Sequence, residues 1–102
     1  MSEALYQQVK RKCNITWEDE DTAARLKNII KSAIPDLIHR LGITEKEFDF
    51  SIEGEENTLF LNRCFYEWEH VLSEFYVNYA DSIAQVRAKN AVKQYRESEQ
   101  SE

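Results

Sequence analysis

The chain reads as all-α: a small helical bundle of three to four helices, with a long central third helix and an irregular acidic loop. Three observations lead there. Glycine and proline number only two and one in 102 residues, and the turns of a sheet-rich domain recruit those residues. Apolar residues recur three and four positions apart through most of the chain, the period of a helix with one buried face. The length fits one domain, and a chain of this size buries roughly 60–70% of its unfolded surface, enough for a modest core without staples.

The first helix is expected over about Glu3 to Lys12. Leu5, Val9 and Cys13 mark its inner face, and Lys10, Arg11 and Lys12 place positive charge at the C-terminal end, where the helix dipole favours it. Thr16 is the expected cap of a second helix running to about Leu41, with Glu18, Asp19, Glu20 and Asp21 at its start. Its stripe is Leu26, Ile29, Ile30, Ala33, Ile34, Leu37, Ile38 and Leu41. Pro35 removes a backbone donor and should kink or split this helix near Ile34. Gly42 is its stop signal.

Thr44 with Glu47 forms a capping-box pattern that can start a short helical turn. Phe48 to Asn57 is a connector, with a weak strand alternation at Phe48, Phe50 and Ile52 and an exposed acidic stretch from Glu53 to Asn57. The third helix is expected from about Thr58 to Tyr79, on the stripe Leu61, Cys64, Phe65, Trp68, Leu72, Phe75 and Tyr79. Phe60, Tyr66, Val71, Tyr76 and Val77 fall off that stripe. This surplus of apolar surface makes those five residues the candidate subunit interface. Ser82 with Gln85 offers the start of a fourth helix over Ile83 to Tyr95, or of a bent continuation of the third. The domain spans residues 1–96, and residues 97–102 read as a polar, disordered tail.

Composition excludes several function classes. The net charge of −6 argues against non-specific DNA binding, which depends on neutralising phosphates with Lys and Arg. Gly42 and Gly54 lie too far apart for a phosphate loop. Cys13 and Cys64 fall on apolar stripes and read as small buried hydrophobes rather than a disulfide framework. No secretory signal and no run of 18 apolar residues is present, so a reducing cytoplasmic setting without a membrane span is expected.

No catalytic or metal site is expected, and no cofactor. His70 stands between Glu67 and Glu74, one helical turn from each, but no second His at i+4 and no Cys pair at metal spacing accompanies it. Glu67–His70 supplies a single Glu-x-x-His, whereas carboxylate-bridged metal sites need paired ones. The run Glu18 to Asp21 lacks the glycine of a calcium loop, since position six counted from Asp19 is Ala24. It reads as a helix start. The carboxylates of Glu45 to Glu56 have no apolar pocket to make one of them a general acid. Trp68 belongs to the core stripe, and Trp17 can pin the first helix to the second.

Several stretches together resemble a known family. They are Leu5-Tyr6-Gln7-Gln8-Val9-Lys10, Asn14-Ile15-Thr16-Trp17-Glu18-Asp19-Glu20-Asp21, and Ile34-Pro35-Asp36-Leu37 leading to Leu41-Gly42-Ile43. Leu59 to Trp68, Glu74-Phe75 and Asn78-Tyr79 complete the set. In order and spacing the set resembles the head–tail connector, or head-completion adaptor, proteins of tailed phages and prophages of Gram-positive bacteria, over about residues 3 to 96. The resemblance implies a small helical bundle, a non-enzymatic virion protein at the head–tail junction, assembled in the host cytoplasm. Its copies would form a ring, commonly of twelve, beneath the portal ring, with the free protein possible as a monomer. That ring would extend the DNA channel, let DNA pass without specific binding, and receive a stopper or tail-completion protein. The acidic connector and the C-terminal segment are the parts such proteins turn toward neighbouring rings. Here they supply Glu53, Glu55, Glu56, Arg87, Lys89, Lys93, Tyr95 and Arg96 as candidate partner-ring contacts. The alternative from another class is a small helical DNA- or protein-binding regulator, for which the basic fourth helix is the one candidate recognition element.

Overall fold

A computed structural model describes residues 2–45 and 47–100. Among them the chain is all-helical, with five helices: α1 (Glu3–Lys12), α2 (Glu20–Arg40), α3 (Glu55–Trp68), α4 (Leu72–Asn78) and α5 (Ala80–Gln100). α1 and α2 pack on α3, α4 follows α3 closely, and α5 lies across α4 and the start of α3.

α1 falls where its periodicity places it. Ser2 caps it, its hydroxyl accepting from the Leu5 N–H at 3.1 Å. α2 starts three residues later than expected, at Glu20, and its cap is Asp19 rather than Thr16. The Asp19 carboxylate accepts from the Thr22 N–H at 3.3 Å, and a charged cap gains from the helix dipole what a hydroxyl cannot. Pro35 does not split α2. It lies on the exposed face, where the Lys31 carbonyl that it leaves without a donor can take water.

Three helices end in the same way. After α1, α2 and α3, a residue with positive φ turns the chain: Asn14 at 58°, Gly42 at 65° and His70 at 64°. The next residue then bonds back five positions, Ile15 to Lys10, Ile43 to Ile38 and Val71 to Tyr66, at 2.9–3.0 Å. This is the Schellman arrangement, which satisfies carbonyls that a helix end leaves free. It explains the largest correction to the sequence reading. The helix expected over Thr58–Tyr79 begins earlier, at Glu55, and breaks at Glu69–Val71 into α3 and α4. His70 is therefore not a mid-helix residue between Glu67 and Glu74.

The connector between α2 and α3 contains neither the helical turn expected at Thr44 nor a strand among its described residues; Lys46 lies outside them. A lone strand has no ladder partner. Phe48 and Phe50 instead both turn inward, edge to face at 4.9 Å, and Phe50 stacks on Phe60 at 4.6 Å. Buried Asn57 fixes this turn by donating to the Phe50 carbonyl at 2.7 Å and to Gln8 at 2.8 Å. Gln8 in turn donates to the Ser51 carbonyl at 2.9 Å.

The core is one contiguous cluster from Leu5 to Val86. Val9, Leu26, Ile30, Leu37, Leu41, Phe50, Phe60, Cys64 and Phe75 are its largest fully enclosed members. α5 is longer than expected at both ends. It starts at Ala80, two residues before Ser82, and stays helical through residues 97–100, where a polar tail was expected; residues 101–102 lie outside the described range.

Candidate functional site

The residues singled out from sequence scatter over three environments. Phe60 is fully buried on Phe50 and is a core residue, which corrects its assignment to a subunit interface. Tyr66 and Tyr76 are half-buried and committed within the chain. Tyr66 meets Phe75 and Tyr79 edge to face, both at 5.9 Å, while the Tyr76 hydroxyl donates to Asp36 Oδ2 at 2.7 Å. Only Val71 and Val77 of the five are open to solvent, Val77 at 77%.

Of the proposed ring contacts, Arg87 has an internal task. It donates to the His39 carbonyl at 2.9 Å and the Arg40 carbonyl at 3.3 Å. Asn90 donates to the Leu41 carbonyl and Gln94 to the Gly42 carbonyl, both at 2.7 Å. These three residues share one face of α5, so that face caps the end of α2 with four side chain–carbonyl bonds, and the Arg87 charge suits the negative end of the α2 dipole. Lys89 pairs with Glu55 at 3.2 Å and Lys93 with Glu45 at 3.7 Å, both pairs exposed. Glu53, Glu56 and Arg96 enter no ion pair among the described residues, and Tyr95 is 66% exposed beside half-exposed Val92. Arg87, Lys89 and Lys93 thus face carbonyls and carboxylates of their own chain rather than forming a free basic stripe.

A polar cluster joining α2, α3 and α4 is structural in geometry. Asp36 on α2 accepts from Arg63 Nε and Arg40 Nε, each at 2.8 Å, and from the Tyr76 hydroxyl. Arg63, only 4% exposed, also donates to Glu67 at 2.7 Å, and the Arg40 guanidinium lies 3.9 Å from the Tyr76 ring centre. Burial pushes the Asp36 carboxyl up, but the bonds from Arg63, Tyr76 and Arg40 outweigh it and hold that carboxyl below the usual range. Among the described residues no buried side-chain nitrogen or oxygen lacks a hydrogen-bond partner. Sequence reasoning missed this cluster. Its signal was the two i, i+4 pairs Asp36/Arg40 and Arg63/Glu67, one facing the other across the bundle.

A second polar contact closes α3. Arg25 donates to the Trp68 carbonyl at 2.5 Å, lies 3.2 Å from His70 Nε2, and stacks 4.0 Å from the Trp68 ring centre. Trp68 is therefore a half-buried platform at the core's edge. Trp17 is exposed and donates to the Thr22 hydroxyl at 3.0 Å, linking the joint to α2. Asp19 to Asp21 form the start of α2, in keeping with the helix-start reading of that acidic run. Among the described residues no group of three His, Cys, Asp or Glu side chains converges to hold a metal.

Cys13 and Cys64 are free and buried. Burial pushes the Cys13 thiol up to about 11, with Glu69 adding to the effect, and raises Cys64 further. Both read as small core hydrophobes. No described helix is long and apolar enough to cross a membrane. Compared with protein-family models, curated proteins and solved structures, the chain matches none of them.

Proposed function

We propose that this chain is a structural assembly protein, a head–tail connector subunit of a tailed phage or prophage, rather than an enzyme. The observation that carries the proposal is the exposure of Val77, Val92 and Tyr95 on α4 and α5, with Trp17, Ile52 and Val71 also open to solvent elsewhere on the chain. Such side chains suit burial against another chain. The segments that resemble the connector family support the same reading, because they correspond to helix ends and core positions of one fold. Asn14-Ile15 closes α1, Asp19 to Asp21 open α2, Gly42-Ile43 closes α2, and Leu59, Phe60 and Cys64 are core.

In this reading the subunits form a ring under the portal, extend the DNA channel and receive a stopper or tail-completion protein. The acidic connector, with Glu53 and Glu56 free of ion pairs among the described residues, would repel DNA only within about a Debye length, roughly 8 Å at physiological salt, and so ease its passage. Co-sedimentation of the purified chain with a portal ring is the direct test. Binding to the ring, and ring-shaped particles in electron micrographs, are the expected results. Specific retardation of duplex DNA at physiological salt, with no association with the portal, would replace this reading with a DNA-binding regulator. Reversing the charge of Glu53, Glu55 and Glu56 should alter DNA retention or ejection; unchanged behaviour would remove the lubrication step while leaving the ring.

A further inference from the structure

The break between α3 and α4 is unusual for its composition. It contains neither glycine nor proline, and its left-handed position is taken by His70 at φ 64°, a conformation that crowds any Cβ. The helical register, moreover, runs through it unbroken: Leu61, Cys64, Phe65, Trp68, Leu72, Phe75 and Tyr79 fit one continuous helix. α4 has only seven residues and no side-chain cap at its start. The joint between α4 and α5 keeps helical hydrogen bonds, Tyr79 to Phe75 and Ile83 to Tyr79, both at 2.9 Å. α4 and α5 are therefore linked to each other more continuously than either is to α3.

What holds this pair of helices in place is limited. α4 contributes one enclosed side chain, Phe75, the partial burial of Leu72, Tyr76 and Tyr79, and one latch, the Tyr76–Asp36 hydrogen bond with Arg40 stacked on the same ring. α5 buries only Val86 fully, with Ile83 partly buried beside the core, and is otherwise held by the polar seam of Arg87, Asn90 and Gln94 and by two exposed ion pairs. Surface pairs of that kind contribute little.

We propose that Glu69–Val71 is a conformational hinge, between the bent form described above and a form in which α3, α4 and α5 run on as one helix. Straightening relieves the left-handed His70 and replaces an uncapped helix start with continuous backbone hydrogen bonds. It gives up the Phe75 plug, the packing of Leu72, Tyr79, Ile83 and Val86 on the core, the Tyr76 latch and the polar seam. The inference stands on local geometry and does not rest on the connector reading, so either can fail without the other.

Distance measurement between two spin labels tests it. Thr58 and Val86 line the same groove, about 390 Å³ in volume, in the bent form. In one continuous helix, positions 58 and 88 would stand about 45 Å apart. Labels attached through T58C and A88C, both exposed sites, read this difference by pulsed dipolar spectroscopy, while buried Cys13 and Cys64 are kept out by replacement with Ala. Tyr76→Phe removes the latch and should raise the long-distance population about tenfold, the usual effect of losing a hydrogen bond to a charged acceptor. His70→Gly relieves the bent form and disfavours the straight one, and should lower that population about tenfold. A single short distance in the labelled parent and in the Tyr76→Phe variant would overturn the hinge. So would a long component that His70→Gly leaves unchanged.

Discussion

Asn14, Gly42 and His70 hold the same backbone conformation at the ends of three helices, and only one of them is glycine. The left-handed region costs a residue with a Cβ about 1 kcal/mol or more, and asparagine less than most. His70→Gly should therefore raise the unfolding free energy by about 0.5–1 kcal/mol, and Asn14→Gly by less. Gly42→Ala should lower it by about 1–2 kcal/mol, because its φ of 65° crowds any Cβ. Urea midpoints at constant slope read these differences. Asp36 gives a different residue-scale prediction. Its carboxyl is held low in the folded state, so its contribution is present above the unfolded value of about 3.9 and fades as pH falls through the folded one. Asp36→Asn should cost about 2–4 kcal/mol at neutral pH, because it leaves Arg63 buried with only Glu67 as a charged partner. The variant should also lose less stability than the parent between pH 4 and pH 2, checked by thermal unfolding across that interval.

At the scale of elements, α5 shows how a helix with a thin apolar stripe stays docked. Its inner face offers Arg87, Asn90 and Gln94 to the carbonyls of His39, Leu41 and Gly42 at and just beyond the end of α2. Replacing Asn90 and Gln94 together with Ala should cost about 1–3 kcal/mol. Amide exchange should speed up along α5 beyond Val86 while α2 and α3 keep their protection. This element also shows why part of the fold was legible in sequence and part was not. α1 and the body of α2 carry clear apolar stripes with charged ends, and both were readable. The start of α2 was misplaced because Thr16 and Asp19 are both good caps, and only the packing of Ile15 after α1 selects the second. The α3–α4 break was hidden because its left-handed residue is histidine, and nothing in the local pattern distinguishes His70 from a helical residue. The polar seam of α5 was hidden because its acceptors are backbone carbonyls, which no side-chain pattern reveals. Phe60 was misread for a related reason: its partner, Phe50, comes from a connector whose inward turn depends on Asn57 and Gln8.

The whole molecule is elongated, 53 × 28 × 19 Å, with a Cα radius of gyration of 14.8 Å. A compact domain of this length would be about 13 Å. The excess comes from α5, about 30 Å long, whose far half adds no buried apolar side chain. Apolar side chains on that half therefore contribute little to folding. Val92→Ser with Tyr95→Ser should change the unfolding free energy by no more than about 0.5 kcal/mol. The same pair should weaken co-sedimentation with a portal ring if the arm is an assembly surface. Loss of stability without loss of association would assign these residues to the fold instead.

The two enclosed thiols carry one more consequence, for measurement rather than for biology. At pH 7 a thiol with a pKa of about 11 is ionised to roughly one part in ten thousand, whereas the same group in an unfolded chain, near 8.5, is ionised to about 3%. Disulfide-exchange reagents attack the ionised form, so Cys13 and Cys64 make the chain its own stopwatch. Their reaction rate counts openings of the α1–α3 packing without any added probe.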